Sequence, residues 1–64
     1  MTPVEFKTAR QTLGLTAQGF ARLVGVSDGR TVRRWEAGDR DIPGPVVVLT
    51  TLFLRHPSVL KLAT

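Results

Sequence analysis

Three of the five glycines in the first forty residues of this chain close runs that carry apolar residues at helical spacing. Phe6, Ala9 and Leu13 stand at i, i+3 and i+7 and stop at Gly14. Ala17, Phe20, Ala21 and Val24 stand at i, i+3, i+4 and i+7, with Leu23 widening the stripe, and stop at Gly25. Gly38 closes a third run that reaches about Ala37. Glycine suits the left-handed position just beyond a helix, so the pattern predicts three short helices and little freedom to build anything else. Their starts are marked as well. Pro3 suits a first turn, Thr16 is placed to cap the second helix, and Ser27 or Asp28 to cap the third.

Beyond Gly38 the segment 39–44 has two acids, Arg40, and proline and glycine breaks with no periodicity, and reads as a loop. A fourth helix is expected from near Pro45 to about Arg55, and a last one from Pro57 to about Leu62. No alternating strand pattern longer than the valine run, internal repeat or low-complexity segment is present. The expected fold is all-α, a compact bundle of about five short helices forming a single domain over 1–64. With 42% apolar and 22% charged residues the chain can support one core. It has no cysteine, so neither a disulfide framework nor a thiolate metal site is available. A small domain without such staples relies on helix packing or on dimerisation.

Lys and Arg outnumber Asp and Glu by nine to five, a balance that suits an anionic partner, nucleic acid before membrane. The first ten residues are mixed and polar, unlike a secretory signal. The most apolar stretch, Val46 to Leu54, falls well short of the ~20 residues a membrane span needs. A cytoplasmic location is expected, without membrane partner, small-molecule substrate, metal or cofactor. No Ser-His-acid set, phosphate-binding glycine loop or paired carboxylates can be assembled, and His56 stands alone before Pro57, so no enzyme is expected.

The third helix carries the functional signal. On a wheel of about 100° per residue with Arg30 at zero, Arg33 falls near 300° and Arg34 near 40°, while Val32 and Trp35 fall on the opposite side. Such a helix has an apolar anchor behind and three guanidinium forks in front. Each fork can pair with O6 and N7 of guanine or hold a phosphate. Three arginines on one face also describe an ordinary solvated surface, and Trp35 reads as core rather than as a stacking platform.

The surrounding residues narrow the choice. Leu13-Gly14-Leu15-Thr16, Phe20-Ala21, Leu23-Val24-Gly25-Val26-Ser27, Thr31-Val32, Trp35-Glu36 and Gly38 form a spaced set that, with Arg10, resembles the Cro/CI-type helix-turn-helix of lambdoid phage repressors and Xre-like regulators. The resemblance implies a lambda-repressor-like domain with its helix-turn-helix at about 16–37, whose second helix lies across the DNA backbone and whose third enters the major groove. It implies base reading by Arg30, Arg33 and Arg34, with Gly29 offering its backbone. It implies phosphate contacts by Thr16, Gln18, Ser27 and Thr31, with Arg40 able to add one from the loop. It also implies a partly buried salt bridge between Arg10 and Glu36. The chain departs from the family in two places. Asp28, Gly29 and Arg30 separate Ser27 from Thr31-Val32 where the family has two residues, so the turn is expected to be one residue longer with Asp28 as cap. Ala17 stands where the family often has Gln.

Val46 to Leu49, with Leu52, Phe53 and Leu54, cover most of the circumference of the fourth helix, which therefore wants burial on more than one side. A symmetric homodimer through the C-terminal helices 45–62, using Val47, Leu54, Val59, Leu60 and Leu62, is the expected solution; the alternative is that the last helix covers this surface within the monomer. The function so implied is a dimeric, sequence-specific repressor that occludes a promoter on double-stranded operator DNA, often that of its own operon. Two rivals remain: an antitoxin-like module that docks on another protein with DNA binding secondary, and RNA binding by the same basic face.

Overall fold

A computed structural model describes residues 1–63, with the side chain of Ala63 left out. Its elements are α1 (Pro3–Thr12), α2 (Ala17–Val24), α3 (Gly29–Ala37), α4 (Gly44–Arg55) and α5 (Pro57–Ala63), with no strand among the described residues. The described residues form an all-α fold, a small bundle of five helices.

The first three helices end alike. Gly14, Gly25 and Gly38 have φ of 73°, 82° and 79°, a conformation a side chain resists. In each case the residue after the glycine donates its N–H to the carbonyl five positions back: Leu15 to Arg10, Val26 to Ala21 and Asp39 to Arg34. These bonds satisfy carbonyls that the helix end leaves without a partner, and they turn the chain sharply. The starts differ from one another. Thr2 and Glu5 form a reciprocal capping box on α1, and the Thr2 backbone N–H holds the Glu5 carboxyl below its ordinary value. Thr16 accepts from the Gly19 N–H at α2, and Asp28 from the Arg30 N–H at α3. Asp28, rather than Ser27, is thus the cap of α3. Helix α4 begins at Gly44 behind Pro43 and has no side-chain cap.

Packing joins α2 to α3, α1 to α3, α1 to α4 and α4 to α5. Phe6 sits at the centre of the first three helices. Its ring meets Phe20 edge-on at 5.3 Å and Trp35 at 5.9 Å, tying α1 to α2 and to α3. Edge-to-face pairs of this kind add about 0.5–1.5 kcal/mol beyond simple burial. Ala17, Ala21, Val32 and Val46 complete the cluster, and the small alanines let α2 approach closely. Leu13, Leu15, Val24, Val26 and Ile42 cover its edges half-buried. A further buried group, Ala9, Thr50 and Phe53, lies on α1 and α4. Thr50 hides its hydroxyl by donating to the Val46 carbonyl one turn earlier, at 2.7 Å. No helix among the described residues is long and apolar enough to cross a membrane.

Candidate nucleic-acid interface

The periodicity of α3 divides it into two faces. Gly29, Val32 and Trp35 are buried; Arg30, Arg33 and Arg34 are exposed. Val32 is fully enclosed and Trp35 only 3% exposed, so the helix is gripped along its whole length from behind. The guanidinium groups stand on a rigid mount, which is what a planar two-donor fork requires to make directional hydrogen bonds.

An ion pair fixes the mount from the side. Arg10 on α1 donates from Nε to Glu36 Oε2 at 2.6 Å and from Nη2 to Oε1 at 3.2 Å, the two parallel bonds of a bidentate fork. Its Nη1 donates to the Leu15 carbonyl at 2.8 Å. One arginine therefore joins α1, the α1–α2 turn and α3. The side chains are 14% and 8% exposed, so the pair is shielded from the screening that weakens surface bridges. Because Arg10 takes Glu36, Arg33 and Arg34 stay out of ion pairs with the one acid of their own helix.

Gly29 lies in the seam between α2 and α3. A Cβ there would stand 2.9 Å from the Gln18 nitrogen and 3.2 Å from the Ala17 carbonyl carbon, closer than side chains approach backbone. Its N–H donates to Gln18 Oε1 at 3.0 Å. The expectation that Gly29 presents its backbone on the arginine face is not how the chain is built: the residue is buried, and its amide bonds across the seam. Gln18 serves as a second cap for α3 from the neighbouring helix and keeps its NH₂ group to donate elsewhere. Among the other residues named for phosphate contact, Thr16, Ser27 and Arg40 are exposed and Thr31 is half-buried.

Among the described residues no group of His, Asp and Glu is arranged to hold a metal ion, and His56 stands exposed at the start of α5. The C-terminal apolar residues divide. Val47, Val59 and Leu60 are half-buried within the monomer. Leu54 is 38% and Leu62 87% exposed, and Val48 and Leu52, outside the expected interface set, are 67% and 38% exposed.

One residue near the arginines is not among those the sequence singles out. Lys7 of α1, with Arg10, Thr16, Arg33 and Glu36, lines a cleft of about 470 Å³ between α1, the start of α2 and α3. A signal for it exists: Lys7 precedes Arg10 by three residues and so shares its helix face. No known family model and no curated protein matches the sequence.

Proposed function

We propose that the chain is a Cro/CI-like, sequence-specific regulator of transcription that binds double-stranded DNA as a homodimer, with α3 in the major groove. The observation that carries this reading is the face of α3: Arg30, Arg33 and Arg34 exposed together on a helix anchored by Val32 and Trp35. An ordinary amphipathic surface helix is anchored in the same way. What favours base readout is that the exposed face carries three two-donor forks side by side, held in register by that anchorage. The capped, tightly turned α2–α3 junction is the supersecondary unit that suits this docking. Repression by occupying a promoter follows from the resemblance and from no geometry of the site.

The dimer supplies the second half-site. A two-fold protein reads two half-sites about one DNA turn apart, and the exposed Val48, Leu54 and Leu62 are the surface to be covered. A protein-docking module is the rival that this same surface keeps in play.

The test is selection of binding sites from a randomised duplex pool, followed by titration of the selected and a scrambled duplex at two salt concentrations. The expected result is a preference of about 10³ or more that survives in the higher salt. Arg34→Ala should then lose about 1–3 kcal/mol of discrimination at one base-pair position. Equal, steeply salt-dependent binding to both duplexes would reject base readout.

A further inference from the structure

We propose that the three arginines of α3 divide between two roles, with Arg33 and Lys7 of α1 together clamping a DNA backbone phosphate and base readout left to Arg30 and Arg34. The inference rests on the DNA-binding reading and adds to it both a residue and a division of labour.

The cleft between α1 and α3 carries the argument. Arg33 is the arginine of the three that lines it, alongside Lys7, Arg10, Thr16 and Glu36. Within the cleft Arg10 and Glu36 neutralise each other through two hydrogen bonds. Lys7 and Arg33 are exposed, and neither has an ion-pair partner among the described residues. The cleft therefore presents two uncompensated positive charges from two different helices. The Thr16 hydroxyl accepts from the Gly19 N–H and still has its own proton to donate. An ammonium, a guanidinium and a hydroxyl at one opening suit a phosphate: a tetrahedral anion with several acceptor oxygens takes donors from different directions. They suit a base edge poorly, because its donor and acceptor pattern is flat and is matched by a fork standing alone.

Their positions on α3 agree. Arg33 is displaced from Arg30 towards one side of the helix and Arg34 towards the other, so a helix lying in a groove turns Arg33 towards α1 and the strand that α1 meets. The ion pair beneath keeps α1 at a fixed distance from α3, so Lys7 and Arg33 meet the backbone as a unit.

The test compares Lys7→Gln, Lys7→Arg, Arg33→Gln and Arg34→Gln on the selected and the scrambled duplex across a salt series. Lys7→Gln and Arg33→Gln are expected to weaken both duplexes by the same factor, and each to flatten the log–log salt slope by roughly 0.9. Lys7→Arg keeps the charge and should keep the slope. Arg34→Gln should instead reduce the ratio between the duplexes. An unchanged slope for Lys7→Gln overturns the clamp, as does a loss of sequence discrimination for Arg33→Gln. If wild-type protein binds neither duplex, the DNA-binding reading itself fails and takes the clamp with it. Circular dichroism of each variant guards against loss of fold, which is not expected at three exposed positions.

Discussion

Helices α3 and α4 each bury three residues, yet they treat the rest of their surface in opposite ways. On α3 the buried set is Gly29, Val32 and Trp35, and the exposed side carries arginines. On α4 the buried set is Val46, Thr50 and Phe53, and the exposed side includes Val48 at 67%, Leu52 at 38% and Leu54 at 38%. Helix α3 is complete within one chain: its apolar stripe is consumed by α1 and α2, and its outer face belongs in water or against an anion. Helix α4 is not. It buries a threonine and leaves leucines outside, an arrangement that makes sense when something else covers them. The outer face of α3 is charged and leaves no large apolar side chain in water, whereas the outer face of α4 leaves three.

The largest effect that would break this contrast is at the ion pair fixing α3. Arg10→Met leaves a Glu36 carboxylate that is 8% exposed without its partner, and the Leu15 carbonyl without its donor. The expected cost is about 3 kcal/mol, from a total that at about 0.05–0.15 kcal/mol per residue comes to only about 3–10 kcal/mol for a domain of this size. Adding Glu36→Gln should cost little more, so that urea denaturation of the two single variants and the double gives a coupling of at least about 1 kcal/mol. Additive losses would mean that α3 is held by Val32 and Trp35 alone.

A smaller effect sharpens the comparison at the first residue of each helix, since both begin with glycine. At Gly29 an added Cβ meets the backbone of Ala17 and Gln18, which cannot move without shifting α2. Gly29→Ala should cost about 1–3 kcal/mol from overpacking, more than the ~1 kcal/mol that alanine gains in helix propensity. At Gly44 nothing lies within 4 Å. Gly44→Ala should stay within about 0.5 kcal/mol, its gain in chain entropy offset by the restriction that Pro45 imposes on a preceding side chain. Thermal melts of the pair decide it. Equal losses would mean that the α2–α3 seam is no tighter than the open start of α4.

These two glycines also mark how far the sequence can be read. The helix ends are legible because Gly14, Gly25 and Gly38 act locally: a left-handed residue terminates a helix whatever lies around it. The split of α3 into Val32 and Trp35 against Arg30, Arg33 and Arg34 is legible because it depends on periodicity alone. The bridge between Arg10 and Glu36 spans 26 residues, and no local pattern pairs them; it enters only through the resemblance. The burial of Gly29 is not legible at all. A glycine next to an arginine-rich face reads as backbone available to a ligand, and only the approach of α2 reveals that its missing side chain serves helix packing. The box formed by Thr2 and Glu5 is written in the sequence as Thr-x-x-Glu, a stronger start signal than the Pro3 between them.

The smallest effect on the monomer is expected on the α4 side of the contrast. Val48→Lys and Leu62→Lys, at the two most exposed apolar positions of α4 and α5, should change the stability of dilute protein by no more than about 0.5 kcal/mol each, as surface substitutions do. The melting temperature of the wild-type chain is expected to rise with protein concentration, because association stabilises whatever state it binds. The double variant should lose that dependence while keeping its dilute-limit value. A loss above about 1 kcal/mol in dilute solution would place these side chains in the monomer's own core, and α4 would then be as complete as α3. A wild-type melt that ignores concentration, with and without DNA, would reject the homodimer and leave this apolar face to the protein-docking reading.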